Sequence, residues 1–516
     1  MAAGAVQRTM PVARRAPRAG RLAATAGAVA VVAVFYVLSY GDATGTFFSA
    51  DDYWVMADAA DVHMRGPLDV VQFFVPGHNG FALYRPLSTV AYFYVLHGLF
   101  GYDPAGYHAA QLTLNVIDAA LVYAIAAHVL DSSFLGLATA LLYAAAPGSA
   151  LAAYWVALCT VTGTACLYFV AVYLWVRHGW RVGVVPVFLL ALAAAEHAVT
   201  LPVTLTLAVV LLDGRWPNRA DLRALLPLWV VAAGYTLAKL IYMRTSAIGV
   251  WYAALPGGYA ISWDPVRWLE NLGRYAGYAA PILYRAVAPR EESSRAVAIA
   301  VGAVLAVAAI GLCVAARPGQ PASRTVRVTA FGLASFPVML GPVLLLGTHL
   351  YGYYVGIAAL GLALATIAGL AAIPRVGMVA ATACVVASLT VHATVNATAV
   401  RDEGDFVFFR TFTRAAVHWL YNVERVAREQ PAARQIVLKE SWTTSQIFDT
   451  GAYRLLLPGT DVAVRLVPDP ATVTATPDTV VMVWPTYHPP PDQPMPGASP
   501  RWNWLRAKPP SARPPS

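Results

Sequence analysis

Residues 181–215 read RVGVVPVFLLALAAAEHAVTLPVTLTLAVVLLDGR. Between Arg181 and Asp213 lie 31 residues with one formal charge, Glu196, near the middle. As a single long helix, this stretch would put Arg177 and Arg215 on opposite sides of a bilayer. As two short helices turning at Glu196-His197, it keeps both arginines on one side, which the excess of basic residues in cytoplasmic loops favours. The hairpin reading fixes the sidedness of everything after it.

Similar charge-poor stretches flank it on both sides. They cover about 22–41, 108–130, 134–147, 157–176, 223–243, 296–316, 328–347, 353–373 and 377–398. A spanning helix needs about 20 mostly apolar residues. With the two arms of the hairpin, at about 182–195 and 198–212, the expectation is about eleven transmembrane helices. With the N-terminus inside, Arg177, Arg181, Arg215, Arg219, Arg223, Arg317, Arg324, Arg327 and Arg375 fall in cytoplasmic loops. Leu87 to Phe100 reaches only about 21 Å as a helix, short of a hydrocarbon core of about 30 Å. It reads as a helix at the outer interface. The run from Leu22 to Gly41 follows Arg8, Arg14, Arg15, Arg18 and Arg21, in the manner of a signal peptide. Its length and the lack of a clear small-residue cleavage site make it an uncleaved first helix.

Composition agrees. Hydrophobic residues make up 58% and charged residues 12%, against about 25% charged in a soluble domain. Mean hydropathy is +0.57. A soluble globule, a disordered chain, a collagen and a disulfide scaffold are excluded for the bulk of the protein. The formal net charge is +9, and the only lysines are Lys239, Lys439 and Lys508. That arginine and alanine bias fits a GC-rich bacterial genome. The arginines sit between apolar runs, so the basic excess reads as membrane orientation, with no nucleic acid implied. Cys159, Cys166, Cys313 and Cys384 lie inside apolar segments without metal-ligand spacing.

The expected organisation is a basic cytoplasmic tail over 1–21, a transmembrane domain over 22–400 with outer loops at 42–107 and 245–295, a small extracytoplasmic α/β domain over 401–484, and a Pro-rich disordered tail over 485–516. The α/β domain reads as a helix near 405–429 and strands near 435–439, 461–467 and 479–484. The expected location is the bacterial inner (cytoplasmic) membrane, with the C-terminus extracytoplasmic.

The candidate chemistry sits in the outer segments. Asp51 and Asp52 follow the first helix. Adjacent carboxylates are costly to hold together without a proton or a cation. They read either as a general base or divalent-metal pair, or as the acidic start of a solvated helix. His78-Asn79-Gly80 and Tyr84-Arg85-Pro86-Leu87 come next. Arg85 either grips a phosphate at headgroup depth or snorkels to ordinary lipid. Gly106-Tyr107-His108 enters the second helix, where Asn115 and Asp118 face the bundle interior. Glu196-His197 crowns the hairpin, and an ionisable pair there marks a functional site by default. Thr348-His349-Leu350-Tyr351-Gly352-Tyr353-Tyr354 is either a site constellation or an interfacial tyrosine belt.

The order of these pieces resembles the membrane glycosyltransferases of the GT-C fold, in particular those related to protein O-mannosyltransferases and the lipid A aminoarabinose transferase. The motifs are D-D after helix one, Y-R-P-L, F-G-x-x-P-x-G-Y-H, E-x-x-V-T-L-P and Y-x-Y-Y, spread over about 22–400. The resemblance implies inverting transfer of a sugar from a polyprenyl-phosphate donor to a glycan, lipid or protein acceptor on the outer face. It implies Asp51, with Asp52 second, as base or as ligands of a divalent cation (Mg or Mn). Arg85 would lie near the donor phosphate. Tyr84, His108, Glu196, His197, His349, Tyr351, Tyr353 and Tyr354 would line the substrate site. Two departures stand out. The hairpin lacks the family's lysine, with His197 as a substitute, and Tyr154 to Thr160 lacks the charged element found after the third helix.

Rival readings are a proton-coupled transporter or flippase using Asp118 and Glu196, a lipid-linked polysaccharide ligase or polymerase using Arg267, Arg274, Arg285, Arg290 and Arg295, and a membrane scaffold. The lack of two similar halves counts against the carrier.

Overall fold

The computed structural model describes residues 18–76, 80–179, 181–254, 259–288, 292–347, 349–396, 404–457 and 459–482. His78, Asn79, Arg290, Thr348 and the tail over 485–516 lie outside them.

Every expected apolar stretch is helical. The first half contains α1 (Arg18–Tyr40), α2 (Asp52–Ala60), α3 (Tyr92–Phe100), α4 (Pro104–Val129), α5 (Ser133–Ala144), α6 (Leu151–Tyr154), α7 (Cys159–Tyr173), α8 (Arg181–Ala194) and α9 (Leu201–Leu207). The second contains α10 (Arg219–Thr245), α11 (Ala247–Ala254), α12 (Pro265–Ala279), α13 (Tyr284–Val287), α14 (Glu292–Ala315), α15 (Arg324–Leu340), α16 (Val355–Ala371) and α17 (Gly377–Val391).

The eleven expected stretches differ in length. Among the described residues, 8 helices are long and apolar enough to cross a membrane, or 9 if the pair 133–144 and 147–154, bent by 59°, is one span. The hairpin arms Gly183–Ala194 and Glu196–Leu212 are shorter apolar helices. At 1.5 Å per residue they reach about 18 and 25 Å. They join at Ala195, whose extended backbone (φ −164°, ψ 159°) breaks the helix. With the bent pair as one span, the arginine parity holds. A hairpin that enters and leaves on one side does not change the sidedness of later helices, whatever its depth.

At the centre lies α16, buried over most of its length and packed on α15, α5 and α7. Small residues make this possible. A Cβ on Gly332 of α15 would come within 2.5 Å of the Gly361 carbonyl, and one on Gly361 within 2.7 Å of the Gly332 carbonyl. The two backbones are in contact, the close approach that small residues permit between membrane helices. At the periphery, α1, α10 and α14 turn Leu38, Leu226, Val230, Val304 and Val307 outward, a lipid-facing surface.

The C-terminal part comprises α18 (Gly404–Glu429) and three parallel strands, β1 (Gln435–Lys439), β2 (Ala463–Val467) and β3 (Thr479–Met482), in the order β2-β1-β3. The central position of β1 follows from its buried Ile436, Val437 and Leu438. This unit shares its core with the first outer loop. Phe47, Phe48, Tyr53 and Met56 pack in one cluster with Phe412, Val417, Leu420, Ile436 and Phe448.

Candidate functional site

Four segments meet at one end of the bundle: the start of α2, the turn before α3, the hairpin apex and the aromatic run before α16. A fifth group comes from α10.

Asp51 stands at the N-cap of α2, after Ala50, a non-glycine residue with φ +46°. Such a conformation is strained for a residue with a Cβ. It turns the chain so that the two aspartates diverge. Asp52 is fully buried. Its Oδ2 accepts from the Ser49 amide at 2.8 Å and its Oδ1 from the Ala157 amide at 2.7 Å. Burial pushes its carboxyl up to about 8, although both backbone bonds pull the other way. Asp51 is half-buried. Burial raises its carboxyl above the usual range, opposed by a hydrogen bond from Trp54 and by the charge of Arg85.

Arg85 forms a two-pronged pair with Glu196. Nε donates to Oε2 at 2.9 Å and Nη2 to Oε1 at 2.5 Å. This bond ties the first outer loop to the hairpin apex and places both at one end, as the parity argument requires. Ser88 Oγ donates to the Ala194 carbonyl at 2.5 Å and pins the same junction. A cleft lined by Trp54, Tyr84, Arg85, Pro86 and Thr89 opens beside the guanidinium.

Sequence reasoning missed Lys239 at this site. It projects from α10, with Nζ donating to the Phe81 carbonyl at 3.0 Å and the Ala82 carbonyl at 2.6 Å, and it lies 5.6 Å from the Phe81 ring centre. Its charge acts on both Glu196 and Arg85. A lysine thus reaches the hairpin apex from the next helix. The available signal was a single lysine inside an apolar 27-residue helix of a chain with three lysines, a costly placement that marks function.

Aromatic rings close over the pair. His349 Nε2 and the Tyr354 hydroxyl are 2.8 Å apart. Its ring lies 4.2 Å from Tyr259 and 4.7 Å from Tyr351, which stacks on Tyr353 at 5.4 Å. His197 lies 5.1 Å from Tyr354. Tyr259 and Tyr354 both feel the charge of Arg85, and Tyr252 and Tyr259 that of Asp51. Tyr252 and Tyr259, from the second outer loop, were also absent from the sequence-based set.

The structure thus gathers Asp51, Arg85, Glu196, His197, His349, Tyr351, Tyr353 and Tyr354. Tyr84 adjoins them but spends its hydroxyl on the Phe74 carbonyl at 2.8 Å. His108 is fully buried beside the backbone of Ala153, Thr46 and Phe47. None of its interactions among the described residues reaches Arg85. The uncharged stretch after the third span receives first-loop carboxylates instead. The Tyr154 hydroxyl donates to Asp42 at 2.6 Å, and the Ala157 amide to Asp52.

The two aspartates do not fit a shared divalent cation. Each oxygen of Asp52 is already held by a backbone N–H, and the side chain is fully buried away from Asp51's surroundings. Among the described residues no group of three or more His, Cys, Asp or Glu is arranged to hold one. Arg267, Arg274 and Arg295 of the second outer loop are engaged. Glu270, 2% exposed, pairs with Arg267, Arg274 and Arg295 and joins α12 to α14.

Fold and site define a polytopic helical membrane protein with a charged, aromatic-walled site at one membrane face. No family model matches the chain, and neither does any curated protein. Solved structures are similar, two of them of one protein. ArnT from Cupriavidus metallidurans bound to undecaprenyl phosphate shares 14% identity at a TM-score of 0.41, over 87% of this chain and 90% of that one. The same protein in the apo state shares 14% at 0.35, over 86% and 90%. Similarity at this level transfers no residue role.

Proposed function

We propose that the protein transfers a sugar from a polyprenyl-phosphate donor to an acceptor hydroxyl at the outer face of the inner membrane, with inversion. The observation that carries this reading is the joint placement of a half-buried carboxylate, Asp51, with the Arg85–Glu196 pair and Lys239 at the end of a lipid-exposed bundle. The order of the sequence motifs, which resembles that of GT-C glycosyltransferases, supports it too.

The chemistry follows from charge and geometry. Glu196 takes two N–H groups of Arg85, so the remaining guanidinium donors have a fixed direction. The Arg85 N–H groups not taken by Glu196, with Lys239 beside them, offer charge-assisted donors to a phosphate at headgroup depth. The acceptor hydroxyl attacks the anomeric carbon, its proton passes to Asp51, and the bond from anomeric carbon to phosphate oxygen breaks. The electron pair leaves on the polyprenyl phosphate, where cationic donors stabilise the developing charge. Burial raises the proton affinity of Asp51, which strengthens it as a base. Tyr351 and Tyr353 offer stacked faces to a sugar ring. No step needs a divalent cation.

The test is sugar release from polyprenyl-phosphate donors by the full-length protein in nanodiscs, together with donor affinity. Arg85→Ala should weaken donor binding by roughly one to two orders of magnitude, the loss of a charge-assisted bond of about 1.5–3 kcal/mol. Arg85→Lys should recover it only in part, because lysine lacks the planar fork. Unchanged affinity in Arg85→Ala would remove the donor site from this end of the molecule.

A further inference from the structure

At the opposite end of the bundle is a second polar cavity, of about 540 Å³, lined in part by His128, Asp213, Arg215, Asp221, Arg324 and Arg327. It lies a full helix length from the site above. Gln111, near the start of α4, contacts the 152–162 segment, whereas His128 lies in its last turn. A helix of 26 residues separates its ends by about 39 Å.

The cavity is built by specific contacts. Arg324 donates through Nε to the Val129 carbonyl at 2.9 Å and through Nη2 to the His128 carbonyl at 3.0 Å, closing the end of α4. Arg327 donates to the Ala316 and Gln320 carbonyls at 3.2 and 3.1 Å. Gly214, with φ +64°, lies against that guanidinium. A Cβ there would come within 1.9 Å of Arg327 Nη1, so the chain leaves room for it. Arg177, exposed, stands 3.4 Å from the cavity-lining His128.

The charges do not cancel. Asp213 and Asp221 both pair with Arg215. Arg177, Arg324 and Arg327 form no salt bridge among the described residues, and Asp131 is the acid whose charge reaches His128 beside them. Arg324 and Arg327 each spend only two nitrogens on carbonyls, and a guanidinium carries five N–H donors. Donors therefore remain for an anion.

We propose that this cavity binds a phosphate group at the membrane face opposite the sugar-transfer site, supplied by the headgroup of an anionic lipid. Basic pockets between membrane helices on the cytoplasmic side take such headgroups, and the arginines gathered at this end mark that side. A zwitterionic headgroup would bring a cation into a basic cavity, so the site should discriminate by net charge. A soluble phosphate compound offers the same chemistry from a different source. The proposal does not depend on the sugar-transfer reading.

The test uses full-length protein in nanodiscs of phosphatidylcholine mixed with phosphatidylglycerol, with retained lipid read by native mass spectrometry. Phosphatidylglycerol should be retained at least about tenfold over phosphatidylcholine. Arg324→Gln with Arg327→Gln should bring that preference close to one, since each charge-assisted bond lost is worth roughly tenfold or more. Because both arginines also close helix ends, Arg177→Gln serves as the variant that leaves those bonds intact, and it should lower the preference severalfold. Thermal protection by millimolar inorganic phosphate in pure phosphatidylcholine discs, with no lipid preference, would support the phosphate site and assign it a soluble ligand. Equal retention of both lipids without phosphate protection overturns the proposal, as does a preference unchanged in the variants.

Discussion

Asp51 and Asp52 are neighbours in the chain, yet the turn at Ala50 sends them to different surroundings. Asp51 faces the cationic and tyrosine cluster, whereas Asp52 clips the start of α2 to the Ala157 amide. Asp51→Asn should lower turnover by about 10²–10⁴-fold, the usual loss of a positioned base, with donor binding nearly intact. Its proton affinity is raised, and the base must be ionised to work. Wild-type turnover should therefore fall as pH drops through a value above that of an ordinary aspartate, and a rate flat down to pH 4 would contradict the assignment. Asp52→Asn leaves one backbone N–H facing an amide donor. It should cost about 1–3 kcal/mol, seen as a lower Tm in detergent, with whatever folded protein remains still active.

Two elements owe their place at the site to one side chain. Lys239 on α10 holds the 81–82 backbone of the first outer loop, and Arg85 follows three residues later. Lys239→Met keeps the length and apolar stem but removes the charge and both bonds. It should weaken donor binding roughly tenfold, while Lys239→Arg should restore most of it. Equal loss in both variants would mean that α10 supplies only packing. The hairpin acts in a similar way. Its arms are too short to need a full bilayer, so its apex can sit at the depth where Glu196 meets Arg85.

The membrane domain and the C-terminal unit form one folded body around the first outer loop, because Phe47, Phe48 and Tyr53 complete their burial against Phe412, Val417 and Leu420. This shared core places the β-sheet on the same side as Asp51. With the N-terminus inside, a cysteine introduced at Gly451 should react with an impermeant maleimide added from outside, and one at Arg219 should not. Labelling at Arg219 alone would invert the topology and put the sugar-transfer site on the wrong face for an extracytoplasmic acceptor.

The sequence alone determined the helices, because burial in lipid demands long uncharged runs that can be read locally. It determined the hairpin at Glu196 through arginine parity, and the β1 strand and α18 through local pattern. It also nominated most of the cluster, since outer-loop carboxylates, Arg85 and the tyrosine run carry their own chemical signal. What it could not supply was pairing. That Glu196 meets Arg85, that Lys239 comes beside both from α10, and that Tyr259 joins them all depend on side chains tens to hundreds of residues apart. The depth of each span lies beyond the sequence for a related reason. Hydropathy reports whether a segment tolerates lipid but not how deep it goes, and the bend after Ala144 and the break at Ala195 are decided by what those segments pack against. The roles of Asp51 and Asp52 are the clearest case. Adjacent, identical residues carry the same local information, and only the tertiary fold gives one two backbone donors and leaves the other facing the site.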